Sequence, residues 1–165
     1  MNKTIKVLAS IGVVLAAAAA LAQVTPEPLS AFPRSLLAIR TASHSVINFK
    51  VWLADTPQRD QQGLMFVKKM DEHEGMLFVF KDSNEPVAMW MKNTYIPLDM
   101  LFMNAKGQVD YIKVNATPLQ LDIIRPPHAE YAVLELNGGA AQRLGIHEGD
   151  TVVHPAFKNA SAAPR

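Results

Sequence analysis

The sequence predicts a β-rich α+β domain: a compact, curved sheet or partly open β-barrel with one or two short helices. Three observations carry this. Short β-prone runs bounded by turn residues recur about seven times, only two stretches have both a helix start and a helix stop, and the chain is long enough for one core. With 49% hydrophobic and 19% charged residues it has the composition of a folded globular protein, and with no Cys the fold must hold without disulfides.

Residues 1–22 read as a cleaved signal peptide. Lys3 and Lys6 precede an apolar run, and Ala20-Leu21-Ala22 supplies a small-residue cleavage site, so a periplasmic or secreted destination is expected. Losing those two lysines turns the formal net charge from +1 to −1, a balance that favours neither nucleic acid nor an anionic membrane. No later apolar run is long enough to span a bilayer, so no stable membrane insertion is expected after cleavage. Residues 23–35, with Pro26, Pro28 and Pro33, are expected to form an extended, flexible tether.

The single β-rich domain is placed at 36–157 and a loose tail at 158–165. Leu36 to Thr41 and Val46 to Leu53 read as an opening hairpin, with Ile47, Phe49, Val51 and Leu53 on one face. Thr56-Pro57 has the form of a helix cap and first helical residue, and Gly63 of a stop. Gly75 to Phe80 is uninterrupted and apolar, as a strand buried on both faces would be. Lys81 to Pro86 reads as a turn. Val87 to Lys92, Asp99 to Met103, Val109 to Val114 and Ala132 to Leu136 supply four more strands, with a hairpin turn at Asn104 to Gly107. Asn137 is placed as the cap of a second helix ending at Gly145, before a closing strand from Thr151 to His154.

The residues that could carry chemistry gather between two apolar strands. Trp90, Lys92, Asn93, Thr94 and Asp99 read as the lining of a polar pocket, with Trp90 and Tyr95 as stacking walls. Lys92 and Asp99 flank the loop, and a charge in such apolar company needs a partner, so a Lys92–Asp99 contact is expected. Glu135 shares a strand face with Val133, either as a tuned acid or base or as the partner of a cation such as Arg125 or Lys92. Asn137-Gly138-Gly139 could offer free amides to an anion, although a tight strand-to-helix turn needs the same residues.

Seven methionines fall between residues 65 and 103. Met100 and Met103 must point to opposite faces, which argues for core packing rather than a copper site. The five histidines show no metal-binding spacing, and no nucleophile motif is present, so neither a metal nor a cofactor is expected.

Gly63-Leu64-Met65-Phe66, Gly75 to Phe80, Trp90-Met91-Lys92-Asn93-Thr94, Ile96-Pro97-Leu98-Asp99, Val133 to Leu136 and Gly145-Ile146 to Gly149-Asp150 together resemble the domain of unknown function family 192. The likeness covers about Leu36 to Val153. It implies a small single-domain β-rich fold, often behind a signal peptide, with no established biochemical activity. Val67 is a departure from the pattern, since the family often has Arg or a similar polar residue soon after this Gly-Leu-Met-Phe segment, and the resemblance therefore implies no cationic contact from that position.

The leading expectation is an exported binding or accessory module for a small polar ligand. One alternative is a periplasmic hydrolase or lyase using Asp99 or Glu135 as general base beside Lys92. Another is an envelope protein that acts through its surface on a protein partner.

Overall fold

The structure is a computed structural model that describes residues 26–80, 87–157 and 159. The signal peptide, the Lys81 to Pro86 turn and most of the tail lie outside the described residues.

Among the described residues seven strands form one sheet: β1 (Arg34–Arg40), β2 (Val46–Ala54), β3 (Glu74–Val79), β4 (Leu98–Met103), β5 (Val109–Ala116), β6 (Ala132–Asn137) and β7 (Thr151–Val153). Their spatial order is β5-β4-β6-β3-β2-β1-β7. Every pairing is antiparallel except β2 with β3. A parallel pair needs a crossover, and α1 (Pro57–Gln62) with the loop after it supplies one. The second helix, α2 (Ala140–Leu144), follows β6.

The sheet curls into a half-barrel whose two edges meet at one end. Gln108 and Thr151 form a bridge there, flanked by Val109 N–H to Asp150 C=O at 2.9 Å and Val152 N–H to Gly107 C=O at 2.7 Å. Strand alternation then sorts the apolar residues into two layers. Leu37, Phe49, Leu77, Leu101, Leu134 and Val152 fill the inside of the curl, with α2 against them. Trp52, Met76, Phe78, Met100, Phe102 and Val133 face outward, where Phe32, Leu64 and the 87–91 segment cover them.

Several elements fall where the sequence places them. Ile47, Phe49, Val51 and Leu53 share the inner face, and the inner positions of β3 are as buried as the outer ones. Thr56 caps α1, its hydroxyl accepting from Arg59 N–H at 3.3 Å, and Gly63 ends it.

Three stretches differ. Val87 to Lys92 is not a ladder strand. It makes one bridge, Met89 with Ile124, because Val87, Met89 and Met91 are spent covering the outer face of the sheet. The cap of α2 is Gly139 at φ +78°, not Asn137, whose side-chain amide instead donates to the carbonyls of Met70 and Asp71. Within 26–33 the chain forms a short 3₁₀ turn at Leu29–Ala31 and docks on α1. Gln62 accepts from Glu27 N–H at 2.7 Å, and the Arg59 guanidinium clasps the Glu27 carboxylate at 2.9 and 3.0 Å.

Gly75 is required by close strand packing: a Cβ there would lie 2.5 Å from the Glu135 carbonyl oxygen and 2.8 Å from Leu136 Cδ2. Gly75→Ala is expected to force β3 and β6 apart and cost about 2–3 kcal/mol, measured as a lower urea midpoint at unchanged m-value.

Candidate functional site

The candidate site lies on the outer face, where two loops cross the middle of the sheet. The first follows α1 through Leu64, Met65 and Phe66; the second runs through Trp90 to Tyr95. Each holds one non-glycine residue in the left-handed region, Phe66 at φ +65° and Asn93 at φ +55°. For a bulky aromatic this is costly and persists only where the surroundings enforce it. Here the loops lock each other. Phe66 N–H donates to Asn93 C=O at 2.8 Å, and the Asn93 side-chain amide reaches the Met65 sulfur at 3.9 Å. Thr94 anchors the second loop, donating from its amide to Met91 C=O and from its hydroxyl to Lys92 C=O.

This arrangement leaves three large aromatics in water. Phe66, Trp90 and Tyr95 are 43, 43 and 44% exposed; Phe66 meets Tyr95 edge to face at 6.2 Å, and Lys92 Nζ lies 5.6 Å from the centre of the Trp90 ring. Between Phe66, Trp90 and α1 runs an open groove of about 490 Å³, lined by Gln58, Gln61, Met65, Phe66, Trp90 and Asn93 among others. Its volume is in the usual range for a small-molecule site. A second, much smaller cavity of about 20 Å³ shares Gln61, Gln62, Met65, Trp90 and Lys92 with the groove and reaches Thr94, Asp60 and Glu135. It has room for about one water molecule.

Glu135 is 4% exposed, and no hydrogen bond or ion pair reaches its carboxyl group from the described residues. Its β-ladder neighbours on either side are Met76 and Met100. Burial in this apolar setting pushes its carboxyl up to about 8, so it is protonated and able to donate at neutral pH. Asp60, on α1, also loses water, and with Asp55 nearby it is pushed up to about 6; its Oδ1 is buried without a partner. Two acids, brought from α1 and β6, thus face one cavity. Such perturbed groups mark functional sites more often than chance.

The residues singled out from sequence divide into two sets. Trp90, Lys92 and Asn93 line the groove, while Thr94 and Glu135 line the small cavity under it. Asp99 is elsewhere. On β4 it alternates with Met100, which faces Glu135 across the ladder, so the Asp99 carboxylate points to the opposite, inner side of the sheet. There it accepts from three backbone amides, Asn115 at 2.8 Å, Gly139 at 3.0 Å and Ala141 at 2.8 Å. The expected Lys92–Asp99 contact is therefore replaced by an amide cradle, and Asp99 and Glu135 do not converge on one substrate atom. The same bonds answer the Asn137-Gly138-Gly139 turn: its Gly139 amide binds the chain's own Asp99, while Gly138 N–H donates to Pro97 C=O.

Sequence reasoning missed Asp60, Phe66, Gln58 and Gln61. Asp60 sits in the first turn of a helix, where an acid suits the helix dipole, and nothing local signals that the 87–94 segment folds over it. The methionines pack mainly in the outer layer, with Met103 inside. Among the described residues no group of three or more His, Asp or Glu side chains is placed to hold a metal ion, and no helix is long and apolar enough to cross a membrane.

Fold and groove together define a small α+β protein of one curled mixed sheet, with a loop-built surface groove on its outer side. The chain belongs to DUF192, a family described as an uncharacterized ACR, whose model matches residues 38–154. No curated protein matches it. Two crystal structures resemble it over most of its length. One, of a protein from Sinorhizobium meliloti 1021 described as a candidate transcription regulator, is 40% identical, with a TM-score of 0.73 over 76% of this chain and 97% of that one. The other, a protein of unknown function from Novosphingobium aromaticivorans DSM 12444, is 34% identical, with a TM-score of 0.72 over 79% of this chain and 91% of that one.

Proposed function

We propose that this protein is an exported binding module of the periplasm or the medium that holds a small polar ligand in the groove beside Trp90, Lys92 and Asn93. The observation that carries this is the mutual locking of the two loops. Phe66 stays in a costly left-handed conformation, braced by Asn93, and the visible result is to hold Phe66 and Trp90 at the rim of one groove. Lys92 would orient a polar or anionic group, and Glu135 and Thr94 would contact a part of the ligand reaching the cavity below. The signal-like leader supports export. The regulator description of the Sinorhizobium protein is not adopted, since a formal charge of +1 on the whole chain offers little attraction for nucleic acid.

A second reading, a hydrolase or lyase, draws support from Asp60 and Glu135, two carboxyl groups with raised pKa values facing one cavity beside Lys92. Asp60 takes the place expected for Asp99 from the sequence.

Native mass spectrometry of the protein, exported by a bacterial host and purified without chelator, tests the binding reading. The expected result is an added mass whose retention falls at least about tenfold in Trp90→Ala and in Lys92→Ala. An added mass that survives both substitutions, or no ligand whose affinity either one changes, overturns it.

A further inference from the structure

We propose that the groove's ligand is a carbohydrate, a β-linked oligosaccharide of glucose or N-acetylglucosamine type; this rests on the binding reading above. The groove combines two kinds of surface that such a ligand needs together. A pyranose ring with equatorial hydroxyls has apolar faces of axial C–H bonds, which pack on aromatic rings, and a hydroxyl rim whose groups both donate and accept. Phe66 and Trp90 supply exposed rings on one side. Gln58, Gln61 and Asn93 supply side-chain amides along the same groove, and an amide is the side chain that donates and accepts from one plane.

The charges point the same way. Glu27, the carboxylate in the groove wall, is neutralised by Arg59, and Lys92 is the cation that remains, lying against Trp90. One cation matches at most a single negative charge, so a multiply charged ligand finds no matching field here. Gln58 and Gln61 are exposed, and none of the described residues hydrogen-bonds their side chains, so both are available to hydroxyls. Below them, the cavity of about 20 Å³ is the size of one hydroxyl group or water, and it is faced by Glu135, a nearly buried carboxyl with no partner among the described residues. A hydroxyl of the ligand placed there would satisfy it.

The chain has two tryptophans, and Trp52 is 8% exposed, so a ligand-induced change in emission reports chiefly on Trp90. Chitotetraose and cellotetraose are titrated against the full protein by tryptophan emission and calorimetry, with tetra-alanine as a probe of the same size but without sugar rings. The expected result is saturable binding of at least one of the two sugars. Its affinity should fall about tenfold or more in Trp90→Ala, only a few-fold in Trp90→Phe, and about fivefold in the Gln58→Ala/Gln61→Ala double variant. All these side chains are exposed, so the variants should fold, which circular dichroism checks. Binding of tetra-alanine but of neither sugar overturns the carbohydrate and leaves the groove reading intact. Binding of no probe also overturns it, and the native mass measurement then decides the groove reading separately. Sugar binding undiminished in Trp90→Ala places the sugar elsewhere and overturns the proposal.

Discussion

Glu135→Gln is expected to make the protein less stable than the wild type at pH 5 and more stable at pH 8.5, so that the two pH profiles cross. The ordinary glutamate value is 4.5, and burial lifts the folded-state value to about 8. Between these the folded protein keeps a proton that the unfolded chain has released, so the unfolded state binds fewer protons and stability falls as pH rises. The stabilisation is complete below about pH 4.5 and is lost by about pH 8. The whole effect is at most about 5 kcal/mol, since each tenfold rise in proton affinity is worth about 1.36 kcal/mol. Gln cannot titrate, so its profile lacks this descent, while at low pH it brings one more unpaired donor than the protonated carboxyl, which itself lacks a partner, at a cost of about 1–3 kcal/mol. Asp60 and Glu130, both also raised, are present in wild type and variant, so the difference between the profiles isolates Glu135. Urea midpoints at the two pH values measure it. Parallel profiles would show that the carboxyl is not held protonated in the folded state.

The other large effect is expected at Asp99. Its carboxylate is fully buried and joins β4 to the end of β5 and to the start of α2 through three amides. Asp99→Ala leaves those three N–H groups without acceptors, at a total cost of about 3–5 kcal/mol. Asp99→Asn keeps the shape and one oxygen but turns an N–H donor toward an amide, and should cost roughly 2 kcal/mol. Both appear as lower urea midpoints. Because Asp99 is on the opposite face from the groove, Asp99→Asn should leave affinity there unchanged, a result that a pocket-lining role would not give.

These two residues also show what was legible in the sequence. Alternation in short strands survives any tertiary context, so the inner face of β2, the double burial of β3 and the side of the sheet taken by Glu135 could all be read in advance. What Asp99 binds could not. Its donors sit at residues 115, 139 and 141, brought together by strand register, and a hydrogen-bond cradle of that kind has no local pattern. Val87, Met89 and Met91 alternate as a strand would, yet the same spacing serves a strap laid over a sheet, and periodicity does not tell the two apart. That strap is also what buries Asp60 and roofs the small cavity. The candidate site was therefore half visible: its Trp-Met-Lys-Asn-Thr segment stands out by composition, while the opposite wall, contributed by α1 and Phe66, depends on how the crossover between β2 and β3 comes to rest.

The seam of the half-barrel bears on how the chain reaches its final form. β7, the last strand, lies beside β1, the first; Ala42 N–H donates to the Asp150 carboxylate, and His154 meets the Ser35 hydroxyl, across 108 and 119 positions of sequence. Contacts of such separation are entropically slow to form, and here they cannot begin until synthesis has passed residue 150. The nascent polypeptide thus has no clasp for its opening hairpin until its C-terminal tenth has emerged, and a truncation just before Thr151 would strip the N-terminal strand of its outer neighbour and leave it paired with β2 alone.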